Sequence, residues 1–154
     1  MKRRSFLDTN ISVYMDDWDF PSKRALALTL VGECGRRGQA VVSTQALREY
    51  FNTAIRKVGL DPKIARRNVE LLTHFGLVQI GPSDILGAID LHRLHSLSFW
   101  DALILRAAQA SNCTTLYSED FQHGQVFDAV ETINPFLPTR GFHQRTPRIT
   151  SIVN

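Results

Sequence analysis

Four carboxylates carry the chemistry that this sequence could do: Asp8, Glu49, Asp101 and Asp120. Each stands close to the end of a strand-like segment or the start of a helix-like one, and the four segments are separate in the chain. Brought to one place they would repel, by roughly 3 kcal/mol for each pair of unit charges about 5 Å apart at an effective dielectric of about 20. Such a cluster needs protons or a divalent cation, and a donor set made only of oxygens favours Mg²⁺ or Mn²⁺. Cations held in this way can activate a water and shield a phosphodiester.

The elements that must position these acids are legible as an alternation. Short apolar runs read as strands at Arg4 to Leu7, Ala40 to Ser43, Leu77 to Ile80, Thr114 to Ser118 and Glu131 to Ile133. Helical patterns lie between them: Ile11 to Met15, Ser22 to Arg37, Gln45 to Val58, Pro62 to His74, Asp84 to His95 and Ser98 to Ser111. Ser22 and either Ser43 or Thr44 offer N-caps, and Asp61 does so ahead of a proline at the first helical position. Strands separated by helices predict an α/β fold, with a central, mostly parallel sheet of about five strands between helical layers.

That topology brings the acids together. Ligands in open α/β sheets bind beyond the carboxyl ends of the strands. Asp8 ends the first strand and Asp120 follows the fourth. Asp101 lies in the first turn of the helix feeding the fourth strand, and Glu49 in the second turn of the helix leaving the second. Each acid taken alone also has a plainer reading. Asp8-Thr9-Asn10 can be an Asx turn or an N-cap. Ser98-Phe99-Trp100-Asp101 can be a capping box. Glu49 lies off the face made by Leu47, Tyr50, Phe51 and Ala54 and can be a solvated side chain, and Asp120 can be a turn residue.

Bulk properties fit one folded unit. The 154 residues are 44% apolar and 21% charged, globular values. Cys34 and Cys113 lie far apart and outside any C-x-x-C, and read as reduced and buried. Basic Met1 to Arg4 is followed by too few apolar residues for a signal sequence, and no apolar run could span a bilayer. A cytoplasmic protein without a membrane partner is expected. Net charge is only +3, but 14 Arg stand against 4 Lys. Arginine is the better phosphate fork, which suits an anionic polymer as partner. Residues 1–138 form the expected domain, and 139–154, with Arg140, Arg145 and Arg148 and no acid, a mobile basic tail.

Four motifs in order, Leu7-Asp8-Thr9-Asn10, Ser43 to Asn52 around Glu49, Ser98 to Ile104 around Asp101, and Leu116 to Gly124 around Asp120, resemble the PIN domain. The branch they look most like is the VapC-type toxins of bacterial toxin–antitoxin pairs, and the resemblance spans Phe6 to Pro138. It implies a three-layer α/β/α sandwich and a ribonuclease in which Asp8, Glu49, Asp101 and Asp120 bind Mg²⁺ or Mn²⁺ and a metal-activated water hydrolyses RNA. It further implies Asn10 and Ser118 as polar helpers, a cognate antitoxin and a homodimer. Glu119 is a weaker candidate, because it should point away if Asp120 points in. His123, in the same loop, could touch a substrate phosphate.

Two other readings compete. The fold could persist as a catalytically inactive module that binds RNA or protein. A phosphatase with Asp8 as nucleophile is disfavoured, since the second acid usual two residues later is replaced by Asn10. His92 and His95 have metal-like spacing but no further partner, and no phosphate-cradling glycine loop or G-x-S-x-G is present.

Overall fold

The computed structural model describes residues 3–138, and the predicted basic tail lies outside them. Six strands form one sheet in the order β3-β2-β1-β4-β6-β5: β1 (Ser5–Leu7), β2 (Ala40–Ser43), β3 (Gly76–Val78), β4 (Thr115–Tyr117), β5 (Val126–Phe127) and β6 (Val130–Ile133). All neighbours are parallel except β5, which pairs antiparallel with β6. This strand is one more than the five expected. It is two residues long and joins β6 through Asp128-Ala129, with Asp128 at φ 55°. An Asp-Gly or Asn-Gly turn would have signalled it; Asp-Ala does not.

The inner strands are buried on both faces, as parallel strands under two helical layers must be. Leu7, Val42, Tyr117 and Ile133 face a core shared with α1 (Thr9–Tyr14), α2 (Pro21–Arg36), α3 (Thr44–Thr53) and α4 (Pro62–Leu72). Phe6, Val41 and Leu116 face the opposite core, filled by Ile104, Leu105, Ala107 and Ala108 of α6 (Phe99–Ala110). Alternate residues of one strand thus serve different layers, the period-two rule of a pleated strand. Helix α5 (Pro82–His95) packs Ala88 on Ala102 and Leu103 of α6. An Asp84–Arg106 ion pair at 2.9 Å joins the same two helices. None of the described helices is long and apolar enough to cross a membrane. Cys34 and Cys113 are free and buried.

Caps set the helix starts that matter for the edge. The Ser43 hydroxyl accepts from Ala46 N at 3.1 Å, Asp61 Oδ1 from Lys63 N at 2.8 Å, and the Ser98 hydroxyl from Asp101 N at 3.0 Å. Helix α2 departs from expectation: it opens at Pro21 behind Phe20, with no side-chain cap, so Ser22 lies inside it. Proline at the first position supplies the fixed φ that makes a capping side chain dispensable. After α3 the backbone widens into one π-helical turn, Ala54–Val58, closed by Gly59 at φ 80°. That left-handed conformation favours glycine.

A small polar network ties the segment after α1 to α3 and α4. Tyr50 of α3 donates its hydroxyl hydrogen to Asp16 Oδ2 at 2.6 Å, while Asn68 of α4 donates to Asp16 Oδ1 at 3.3 Å and to Tyr50 Oη at 2.9 Å. Burial raises the Asp16 pKa, and the Tyr50 bond opposes that rise. Tyr50→Phe keeps the ring in the core but removes the donor. We expect it to lower unfolding stability by about 1–3 kcal/mol in urea titrations, and Asp16→Asn added to Tyr50→Phe to recover part of the loss. Equal stability of Tyr50→Phe and parent would refute this bracing role.

Candidate metal centre

Strand β1 lies in the middle of the sheet, with β2 and β3 on one side and β4, β6 and β5 on the other. The chain therefore changes direction between β1 and β4, and the crevice beyond their carboxyl ends is where such sheets accept ligands. Asp8 follows β1 and caps α1, its Oδ1 accepting from Thr9 N at 2.7 Å. Ser118 follows β4 directly, and Asp120 lies two residues further. Asp101 projects from the first turn of α6, helped to its place by the Ser98 cap. Carboxylate oxygens of Asp8, Asp101 and Asp120 all lie within 4.8 Å of one another. Asp8 is buried, Asp101 half-buried and Asp120 exposed.

Glu49 stands slightly apart. It lines the same cleft, of about 400 Å³, but is not one of the three clustered acids. Its Oε1 accepts from Thr9 Oγ1 at 2.9 Å and its Oε2 from Gln45 Nε2 at 3.1 Å. Glu119 also lines the cleft, outside the three clustered acids. Its carboxylate accepts from Tyr14 Oη at 2.7 Å and pairs with Lys23 at 3.0 Å. Lys23 in turn stands over the Tyr14 ring, 4.7 Å from its centroid.

Two uncharged side chains organise the anions. The fully buried Ser118 hydroxyl donates to Asp8 Oδ2 at 2.7 Å and accepts from Asp120 N at 3.0 Å. Asn10 Nδ2 reaches Asp120 Oδ2 at 3.0 Å, with longer contacts to Ser118 Oγ and Asp8 Oδ2, and Asn10 Oδ1 accepts from Glu119 N at 3.3 Å. Together they join the end of β1, the start of α1 and the loop after β4 into one unit.

His123 does not line the cleft. Its Nδ1 accepts from Asn134 N at 3.1 Å, so the ring secures the segment after β6. The buried Phe121 and the bond from Gly124 N to Thr132 O turn the loop that way. His92 and His95 are both exposed, and His95 lies edge-on to Phe127. Thr9 and Gln45, which hold Glu49, escaped the sequence reading, although Gln45 and Glu49 are four apart on α3 and so neighbours on its surface. Lys57, also at the cleft, is carried there on the π-helical turn.

Burial pushes the Asp8 carboxyl up to about 7, against the bonds from Ser118 and Thr9 and with further help from the charges of Asp120 and Asp101. Asp101 is raised too, first by burial and then by Asp120. These acids resist ionising together, and their donor set is oxygen alone. That chemistry fits a hard divalent cation, which would replace the missing positive charge.

The PIN domain family model matches residues 5–127. The chain belongs to the PIN domain family. Two solved structures share this PIN fold. One is VapC20 of Mycobacterium tuberculosis, a toxin that cleaves the sarcin–ricin loop, at 16% identity and a TM-score of 0.61, over 73% of this chain and 86% of that one. The other is a toxin–antitoxin complex from Klebsiella pneumoniae, at 23% identity and a TM-score of 0.59, over 82% of this chain and 94% of that one. Comparison with curated proteins returned no match. The PIN domain match begins at β1 and ends at β5, so it contains all four acids.

The raised Asp8 pKa predicts how stability depends on pH without a cation. The folded state holds this proton more tightly than the unfolded chain, whose aspartates titrate near 4. Protonated Asp8 therefore stabilises the fold fully below about pH 4, and the contribution is lost as pH rises through about 7. In EDTA, urea unfolding at pH 5, 6.5 and 8 should show this decline, on the order of 2–3 kcal/mol between the first and the last. Asp8→Asn should flatten the profile and be the more stable protein at pH 8. Parallel profiles for the two proteins would refute the assignment.

Proposed function

We propose that the protein is a divalent-metal-dependent endoribonuclease acting as the toxin of a toxin–antitoxin pair. The observation that carries this reading is the convergence of Asp8, Asp101 and Asp120 at the switch point of a PIN-family sheet. A bound Mg²⁺ or Mn²⁺ would supply Lewis-acid activation of water and shielding of the phosphodiester. Asp8 and Asp101 are the principal ligands in this reading, and Asp120 and Glu49 complete the site.

The protein's own groups would divide the remaining work. Ser118 and Thr9 N fix both oxygens of Asp8, so its carboxylate keeps one orientation. Asn10 holds the exposed Asp120 toward the cluster. Thr9 and Gln45 set Glu49 at the cleft wall, positioned to order a water or to join the ligands when the substrate arrives. Lys57, at the cleft, can meet a phosphate oxygen of the RNA backbone. Hydrolysis by in-line attack leaves a 5′-phosphate and a 3′-hydroxyl.

The toxin reading brings two protein partners. Leu28, Ile64 and Leu71 are exposed apolar side chains on α2 and α4. That surface suits an antitoxin, with an arginine from the antitoxin reaching the carboxylates. A homodimer belongs to the same reading, and light scattering after gel filtration tests it.

Purified protein is expected to cleave single-stranded RNA with Mg²⁺ or Mn²⁺ and not in EDTA. Asp8→Asn and Asp101→Asn should each lose at least about 100-fold, and Ser118→Ala about 10- to 100-fold, as supports of metal ligands do. Millimolar Mn²⁺ should raise the melting temperature by about 3–8 °C in the parent and not in Asp101→Asn. If RNA binds with no cleavage and no Mn²⁺ shift, the protein is an inactive binding module instead.

A further inference from the structure

The tryptophan beside Asp101 has no part in the metal chemistry, yet it is placed as though for a ligand. Trp100 lies in the first turn of α6 and is 62% exposed. Phe99 packs edge-on against its ring at 5.3 Å between centroids, so the indole is propped outward. Trp100 lines both the acidic cleft and a second groove, of about 330 Å³. That groove lies over the carboxyl ends of β2 and β3, where Ser43, Gln79 and Ile80 line it, one step along the sheet edge from the acids. Gln45 joins the two sites, donating to Glu49 Oε2 and to Trp100 O at 3.5 Å.

The two sites differ in charge. Acids dominate the cleft, whereas Arg48 is the one charged residue among the described residues lining the groove. A flat aromatic wall, an amide and a guanidinium are the chemistry that recognises an unpaired nucleotide: a π-face for the base, hydrogen-bonding groups for its edge and a fork for phosphate. The groove, of about 330 Å³, is at the small end of ligand pockets. A strand crossing the acids and continuing along the edge would enter it next.

We propose that this groove is a subsite for one unpaired nucleotide of the RNA flanking the scissile phosphate. The base stacks on Trp100, Gln79 reads its edge, and Arg48 meets the adjoining phosphate. The inference rests on the ribonuclease reading of the cleft, but its test does not require cleavage.

Trp18 and Trp100 are the two tryptophans of the chain. Trp18 lies under Arg24, which is 3.6 Å from its ring centroid, and does not line the cleft. Trp18→Phe therefore makes Trp100 the sole reporter. In EDTA and low salt, a single-stranded oligoribonucleotide should quench its emission, and a duplex of the same length should not. Anisotropy of a labelled single strand should show Trp100→Ala binding about tenfold more weakly, with Trp100→Phe recovering most of the loss. Arg48→Gln should weaken binding and lower the slope of log K against log salt by about one. Melting curves check that each variant folds.

Unchanged affinity in Trp100→Ala, or equal quenching by duplex, overturns the subsite whether or not the protein cleaves RNA. Loss of a protein partner by Trp100→Ala with RNA binding intact overturns it in favour of a docking groove. Binding that depends on Trp100 without any cleavage keeps a nucleotide site in the groove but overturns its place beside a scissile phosphate, together with the nuclease reading.

Discussion

A carboxylate at the end of the central strand, almost wholly removed from water, is the constraint on which the rest of the edge depends. Asp8 is 3% exposed and faces two other acids. Burial and like charge both oppose its ionisation. The fold offsets this only in part, chiefly through the Thr9 amide and the Ser118 hydroxyl. Complete compensation by a lysine or arginine would make a stable ion pair and fill the position that a cation would occupy. Lys23 is instead bound to Glu119 and Tyr14 and leaves the triad uncompensated. The remaining deficit in positive charge is one that a divalent ion could make good.

Neutral side chains can hold such a deficit without erasing it. Ser118 and Asn10 have both donor and acceptor capacity, so each joins a carboxylate to a backbone amide and brings no net charge. Their partners belong to β1, α1 and the loop after β4, which converts two adjacent strand ends into one rigid rim. Thr9 extends the arrangement to α3 through Glu49, and the Tyr50–Asp16–Asn68 network extends it to α4. The helices on one face of the sheet are thus linked by polar bonds to the acidic edge as well as by apolar packing.

Much of this was legible in the chain because parallel topology is restrictive. Once strands alternate with helices, the residue after a strand and the first turn of the next incoming helix must share an edge. Asp8, Asp101 and Asp120 obey that rule without reference to side-chain detail. What the sequence did not convey depends on detail of another kind. Helical phase places Glu49 off the apolar face, but only the Thr9 hydroxyl and Gln45 amide decide that it stops short of the triad. The two residues of β5 carry no periodicity of their own and exist as a strand because β6 offers an open edge. His123 shares a loop with Asp120, yet the buried Phe121 between them redirects the chain toward β6. Trp100 reads in sequence as one more apolar residue of a buried helix, and only its position at the helix tip leaves it exposed.

The three acids also differ in a way that bears on how the edge would work. Exposure increases from Asp8 through Asp101 to Asp120. Asp8 is fixed on both oxygens, whereas Asp120 is held by the Asn10 amide from a loop at the surface. A cation arriving at this edge would meet one immobile ligand and others with progressively more freedom to adjust. Mg²⁺ demands near-ideal octahedral geometry and gives up its waters reluctantly. One rigid carboxylate would define where an ion sits, and the solvent-facing positions would leave room for its remaining waters and for a phosphate oxygen. Were all three buried like Asp8, the cluster would be held neutral by protons near pH 7 and closed to a polymer. Were all three exposed like Asp120, water would screen them and the attraction for a divalent ion would fade. In the proposed reading, the gradient of burial across one sheet edge would keep the site both charged enough to bind a metal and open enough to admit a nucleic acid strand.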